Sequence, residues 1–116
     1  LFESSEEAPG VAGLGILKGK ILRIPERAGL KIPHMGWNSL HLEHDGRLFR
    51  GIEENAYVYF VHSYAGVDCD AFVSARTEYG AELTAAVERG NVYGTQFHPE
   101  KSGEVGLQIL KAFCEL

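Results

Sequence analysis

The chain has 116 residues, enough for one domain, and 45% of them are hydrophobic, so it can bury a core. Its formal net charge is −5 and it has no basic run, which argues against nucleic acid and anionic membrane surfaces as partners. No stretch approaches the roughly 18 consecutive apolar residues of a membrane-spanning helix. The two cysteines, Cys69 and Cys114, lie outside any Cys-x-x-Cys motif, which predicts reduced thiols in a cytoplasmic protein.

The first half of the chain predicts short elements separated by glycine and proline. The opening LFESSEEAPG has an apolar pair followed by acidic and polar residues, like the last turn of a helix that runs into a loop. It predicts that the chain is a fragment whose upstream part is absent. Residues 20–24 predict a strand ended by a proline, and residues 31–43 predict a loop that enters a short strand with Leu40 and Leu42 alternating. Residues 47–52 predict one helical turn.

The second half predicts strands at close spacing. Residues 56–66 are dense in aromatic and β-branched side chains in a nearly continuous run, which predicts a strand covered on both faces. Three more strands are predicted at residues 72–77, 82–87 and 92–97, with turns at glycines between them. Connections this short favour antiparallel pairs, because a parallel connection needs a longer crossover.

The tail after residue 101 predicts a helix, so the chain belongs to the α/β class. Ser102 is predicted to cap its first amides, and Glu104 suits the positive end of its dipole. An apolar stripe with helical spacing is predicted to pack on the sheet. Its members are Val105, Ile109 and Phe113, with Leu110 beside them.

A histidine and a glutamate two positions apart are the strongest candidates for chemistry. Side chains two residues apart in an extended chain project to the same side, so His98 and Glu100 face one way. Pro99 between them fixes its own φ and biases His98 toward extended backbone. A carboxylate bonded to one imidazole nitrogen sets the tautomer and makes the other nitrogen more basic. Such a pair can take a proton from a thiol or hydroxyl, although a lone His-x-Glu is more often an ordinary polar strand end.

The residues around this pair carry a family resemblance. GTQFHPEKS resembles the C-terminal signature of class I, triad-type glutamine amidotransferases. Three further motifs precede it in compatible order, and the set resembles the glutaminase subunits of imidazole glycerol phosphate synthase over essentially the whole chain. The motifs are PHMGWN (33–38), YFVHSYAG (59–66), TEYG (77–80) and QFHPEKSG (96–103). The resemblance implies the C-terminal portion of a flavodoxin-like domain, with residues 1–116 forming a partial amidotransferase domain.

The resemblance also implies an activity and a set of roles. Family members hydrolyse glutamine through a Cys–His–Glu triad and pass ammonia to a cyclase barrel, which makes imidazole glycerol phosphate in histidine biosynthesis. His98 would be the base and acid and Glu100 its orienting carboxylate. His62, Ser63 and Tyr64 would hold glutamine, and Trp37, Tyr59 and Lys101 would face the cyclase in a heterodimer. No cofactor is implied.

The implied nucleophile is expected upstream of Leu1, on a strand-to-helix elbow. Cys69 and Cys114 lack the Gly-x-Cys-x-Gly surround of such an elbow, so we expect that the chain alone does not hydrolyse glutamine. Three histidines, His34, His41 and His44, have no cysteine or carboxylate cluster beside them, and no metal site is predicted.

Several alternatives stay open at this point. The chain could come from another triad glutaminase, such as the component of anthranilate synthase or pyridoxal phosphate synthase. It could also be a non-catalytic module that docks a cyclase through the three interface residues. Ser63 and Tyr64 could simply pack a strand, and Trp37 could be a core residue.

Overall fold

A computed structural model describes residues 1–25, 30–43 and 47–116. These ranges contain nine strands, one α-helix and three 3₁₀ turns. The strands are β1 (Ser4–Ser5), β2 (Lys20–Arg23), β3 (His34–Ser39), β4 (His41–Leu42), β5 (Tyr57–His62), β6 (Tyr64–Val67), β7 (Val73–Glu78), β8 (Glu82–Arg89) and β9 (Val92–Thr95). The helix α1 is Gly103–Cys114, and the 3₁₀ turns are Arg47–Phe49, Asp70–Phe72 and Pro99–Lys101.

The strands form three sheets. One has the order β4-β7-β8-β9 and is antiparallel throughout, as the short connections predicted. A second sheet pairs β3 with β5 in antiparallel register, with Trp37 opposite Tyr59. In the third, β2 lies between β1, which is parallel to it, and β6, which is antiparallel. The mixed α/β class with antiparallel pairs and a C-terminal helix is therefore confirmed.

The predicted strand at residues 56–66 is two strands. The chain pairs with β3 up to His62 and with β2 from Tyr64, so Ser63 marks the point where it changes partner. The prediction that this strand is covered on both faces is wrong for β5. Its burial alternates, with Val58 and Phe60 inside and Tyr57 exposed. Tyr57 and Tyr59 of β5 tolerate the less buried face because the hydroxyl of each ring can reach water.

The helix α1 packs against the main core through small and branched side chains. Gly106, Ile109 and Ala112 form its buried face. Ile109 joins a core cluster that includes Phe60 of β5 and Phe97, the residue just before the His-x-Glu pair. The predicted stripe is only partly right, because Leu110 and Phe113 are exposed at the edge of this face. Within the described residues, no helix has the length and apolar character needed to cross a membrane.

Two local expectations near the chain start and in β3 also need correction. Leu1 to Glu3 form no helical turn, and Ser4–Ser5 pair with β2 instead. The predicted loop at residues 31–43 contains a six-residue strand, because β3 begins at His34. The strand is irregular at Gly36, whose φ of +113° lies in a region that side-chain-bearing residues rarely adopt.

Candidate active site

His98 and Glu100 are in direct contact at the end of the last sheet. The Nδ1 atom of His98 lies 2.8 Å from the Oε1 atom of Glu100. The backbone of His98 is extended, with φ −101° and ψ 97°, as the proline after it predicted. Pro99 opens the 3₁₀ turn that carries Glu100 back toward the imidazole ring. The rigid backbone thus holds the two side chains together.

The contact fixes the state of both groups. A carboxylate only accepts hydrogen bonds, so the His98 Nδ1 atom carries the proton and, in the neutral ring, Nε2 carries a free lone pair. The backbone N–H of Glu100 and the His98 side chain both stabilise the carboxylate and hold the pKa of Glu100 below its ordinary value. The ring is 39% exposed, so Nε2 can meet a group brought to it from outside. The arrangement suits a general base that acts on a thiol or hydroxyl.

Ser102 fixes the backbone of His98 against β5. The His98 N–H donates to the Tyr59 carbonyl at 3.0 Å. In the opposite direction, the Tyr59 N–H donates to Ser102 Oγ at 3.0 Å, and that hydroxyl donates to the His98 carbonyl at 2.6 Å. Ser102 is 1% exposed and makes no capping bond to α1, so the prediction that its side chain caps the helix is wrong. The hydroxyl accepts from the Tyr59 N–H instead of from the amides of the helix.

The three predicted substrate residues lie further along the same strand. His62 ends β5, Tyr64 begins β6, and Ser63 lies between them. At about 3.3 Å per residue, His62 lies roughly 10 Å along the strand from Tyr59, which holds His98. The Ser63 hydroxyl has no hydrogen-bond partner among the residues that the structure describes. Ser63 and Tyr64 are half-buried, so both remain within reach of a small ligand.

The three predicted partner residues form one surface patch, here called the Trp37 patch. Trp37 is 55% exposed, and its ring meets that of Tyr59 edge to face at 6.1 Å. Lys101 is exposed, and a Cβ atom added to Gly103, two residues later, would lie 4.0 Å from the Trp37 ring. The alternative of Trp37 as a core residue is therefore wrong. Met35 and Tyr57 are also exposed on this ladder and extend the patch.

The sequence did not indicate one polar cluster that adjoins the substrate residues. His34 and His62 are both buried, and their rings are joined by a 2.9 Å contact between His34 Nδ1 and His62 Nε2. Sequence reasoning considered His34 only as a metal ligand. No sequence signal relates two histidines 28 positions apart, since their contact depends on the pairing of β3 with β5.

Neither cysteine has the surroundings of a nucleophile. Cys69 is buried, and burial raises the pKa of its thiol. Cys114 ends α1 on the exposed side of the molecule. His41 lies beside Glu54, whereas His44 falls outside the described residues. In the described ranges, no three histidine, cysteine or carboxylate groups come together as metal ligands would.

The chain resembles known proteins over most of its length. The family model for glutamine amidotransferase class-I matches residues 14–115. The imidazole glycerol phosphate synthase subunit HisH of Methanothermobacter thermautotrophicus is 51% identical over 116 residues, which are all of this chain and 57% of that protein. The HisH subunit of Moorella thermoacetica is 50% identical over all of this chain, which covers 55% of that protein. The chain thus spans a little over half the length of these relatives.

A solved structure supports the same fold. A GMP synthase subunit protein from Thermoplasma acidophilum superposes with a TM-score of 0.65 at 20% sequence identity. The match covers 84% of this chain and 47% of that protein. The family model, which matches residues 14–115, shows that the chain belongs to the class I glutamine amidotransferase family.

Proposed function

We propose that this chain is the part of a glutaminase subunit that supplies the histidine and carboxylate of a Cys–His–Glu triad. The 2.8 Å contact between His98 and Glu100 carries this proposal. The complete protein would hydrolyse glutamine and supply ammonia to a cyclase that makes imidazole glycerol phosphate. The names of the HisH relatives support this pathway over that of another glutaminase. We also propose a cytoplasmic location, which the two free thiols favour.

The geometry supports a defined sequence of proton transfers. His98 Nε2 takes the proton of the cysteine thiol, and the thiolate attacks the side-chain amide carbon of glutamine. The imidazolium, stabilised by Glu100, then gives its proton to the departing nitrogen, so ammonia leaves and a thioester remains. Water, deprotonated by the same Nε2, cleaves the thioester to glutamate and regenerates the thiol. The balance is glutamine plus water to glutamate plus ammonia.

The nucleophile in this scheme is not one of the two cysteines of the chain. A buried thiol with a raised pKa holds its proton and does not attack, which argues against Cys69. Cys114 lies at the far end of α1 from the 3₁₀ turn that carries Glu100. We therefore propose that residues 1–116 are a partial domain and that the remainder of the complete protein supplies the thiol.

A hybrid protein tests the activity. In this hybrid, the chain replaces the segment that it matches in the M. thermautotrophicus relative, and glutamine turnover is measured with that relative's partner protein present. We expect turnover, and we expect His98→Ala to lower kcat at least about 100-fold. Cys69→Ser and Cys114→Ser serve as controls and should leave kcat within about twofold. Loss of turnover in either cysteine variant alone, or full turnover in His98→Ala, would contradict the triad.

We further propose that the Trp37 patch binds the cyclase. Of the three predicted substrate residues, we propose that Ser63 and Tyr64 hold glutamine, because His62 is buried and both of its ring nitrogens already have partners. Exposed aromatic side chains that cluster on one ladder are typical of interface anchors. In the hybrid, Trp37→Ala should weaken binding to the partner cyclase about 30-fold or more, as measured by calorimetry. Leu14→Ala removes an apolar side chain elsewhere that is more exposed than Trp37 and should not change the affinity. Equal affinities for all three proteins would argue against the patch as the docking surface.

A further inference from the structure

The buried histidine pair is part of a longer chain of hydrogen bonds. His62 Nδ1 lies 2.9 Å from the Tyr64 carbonyl oxygen, and His62 Nε2 lies 2.9 Å from His34 Nδ1. At the other end, His34 Nε2 lies 3.3 Å from the Asn38 amide nitrogen. His34 is only 2% exposed. The chain of bonds therefore runs through the interior from Asn38 to Tyr64.

The partners allow one assignment of the protons. A carbonyl oxygen only accepts, so His62 Nδ1 carries a proton and donates to Tyr64. In the neutral ring, His62 Nε2 then accepts, and His34 Nδ1 must be the donor. His34 Nε2 is left as an acceptor for the Asn38 N–H. In each of the three bonds, the donor is thus on the Asn38 side and the acceptor is on the Tyr64 side.

The Asn38 amide cannot be reversed without loss. Its nitrogen also donates to the Glu78 carbonyl at 2.8 Å, and its oxygen accepts the Ser39 N–H at 2.8 Å. Exchanging the two amide atoms would break both bonds. The oxygen would then face the Glu78 carbonyl and the lone pair of His34 Nε2, and the nitrogen would face the Ser39 N–H. The amide therefore sets the direction of the whole chain.

The His34 ring is held in its plane by two aromatic rings. It stacks on Phe60 at 4.8 Å and on Tyr79 at 4.1 Å, with interplanar angles of 22° and 23°. Tyr79 is itself anchored, because its hydroxyl donates to the Lys31 carbonyl. Burial, and then the neighbouring His62, lower the pKa of His34 to about 4, so the ring is neutral at pH 7. Burial likewise lowers the pKa of His62.

The last bond of the chain spans Ser63. His62 and Tyr64 flank the residue at which the strand leaves β3 and joins β2. A ring that bonds to the carbonyl two residues later fixes the turn of the backbone between them. The shape of the segment from His62 to Tyr64 thus depends on the tautomer of His62.

We propose that His34 is a positioning residue, which, together with Asn38, fixes the tautomer of His62 and so holds Ser63 and Tyr64 in the shape that binds glutamine. This inference rests on the proposed function, in which Ser63 and Tyr64 contact the substrate. His34 itself touches no substrate. Its effect is passed on by the His62 ring.

Two substitutions at position 34 separate hydrogen bonding from packing. His34→Phe keeps a ring between Phe60 and Tyr79 but removes both nitrogens. His34→Asn lacks the ring but can place an amide N–H near the position of Nδ1. In the hybrid, we expect His34→Phe to raise KM for glutamine about tenfold and to change kcat less than twofold. His34→Asn should recover most of the affinity. Leu17→Ala, in a separate core cluster, should lower the melting temperature without raising KM.

Long-range ¹H–¹⁵N spectra of the histidine rings in the 116-residue chain provide a readout independent of activity. We expect His62 to be the Nδ1–H tautomer. In His34→Phe, Nε2 loses its donor and only the Tyr64 carbonyl still favours this form, so we expect a detectable fraction of the Nε2–H tautomer. An unchanged tautomer, or an unchanged KM in a hybrid that turns over glutamine, would overturn the positioning role alone. A hybrid without any turnover, whatever the tautomer, would overturn the proposed function and the positioning role together.

Discussion

At the scale of single residues, Ser102 shows how a hydroxyl can do the work of a missing backbone bond. The His98 N–H donates directly to the Tyr59 carbonyl. The Tyr59 N–H reaches the His98 carbonyl only through Ser102 Oγ, which accepts from the first and donates to the second. The strand β5, which contributes Tyr59 to the Trp37 patch, therefore also holds the backbone of the proposed base, His98. Lys101, next to Ser102, belongs to the same patch, so the dyad and the patch share one short segment of chain.

We predict that Ser102→Ala destabilises the fold and impairs catalysis. It leaves the Tyr59 N–H without a partner, which costs about 1–3 kcal/mol in the free energy of unfolding, whereas the His98 carbonyl keeps the bond from the Lys101 N–H. In the hybrid, kcat should fall more than KM changes, because His98 would shift while the substrate segment stays in place.

Ser74→Ala is a matched control for Ser102→Ala. Ser74 is equally buried, but its hydroxyl has no hydrogen-bond partner in the described part of the chain. Removing that hydroxyl should leave the stability unchanged or raise it. Urea unfolding of the two variants compares them directly, and equal losses in both would argue against the bridging role.

At the scale of elements, α1 approaches the dyad segment more closely than a side chain permits. A Cβ atom at Gly106 would overlap the Pro99 carbonyl oxygen and lie 2.9 Å from the Ser102 Cβ atom. The helix therefore rests directly on the turn that carries Glu100. A glycine in mid-helix is otherwise unfavourable by about 1 kcal/mol relative to alanine.

We predict that Gly106→Ala destabilises the chain by about 2 kcal/mol or more. Helix propensity alone predicts the opposite sign, a gain of about 1 kcal/mol, so the experiment separates the two effects. Leu107→Ala, at an exposed position of the same helix, should change the stability little. A higher thermal midpoint for Gly106→Ala would show that the helix does not press on the 3₁₀ turn.

The elements also show what the sequence could and could not predict. The contact between His98 and Glu100 was predicted from an extended chain, but only His98 is extended, and the 3₁₀ turn Pro99–Lys101 brings Glu100 back to the imidazole ring. The capping role of Ser102 was predicted wrongly, since the competing partner, Tyr59, is 43 residues away. The His34–His62 contact was not predictable for the same reason. Local patterns carry information on backbone shape, and distant strand pairing decides which polar groups meet.

At the scale of the whole molecule, the buried histidines should make stability depend on pH. In the unfolded chain, His34 titrates near 6.5, whereas in the folded chain its pKa is about 4. The unfolded state therefore binds more protons between these values, so the free energy of unfolding falls as the pH falls below about 6.5. His62, whose pKa is also lowered, acts in the same direction.

We predict a loss of about 2 kcal/mol from His34 alone between pH 7 and pH 5. Among the described residues, the titratable side chains that contact His34 are His62 and the stacked ring of Tyr79. Exposed carboxylates with lowered pKa, such as Glu54 and Glu100, lose their contribution only at lower pH. Urea midpoints of the chain at pH 7 and pH 5 measure the effect, which His34→Phe should reduce and His41→Gln should leave unchanged. Equal midpoints at the two pH values would mean that the buried pair accepts a proton without cost, and the one-way assignment of its hydrogen bonds would then be wrong.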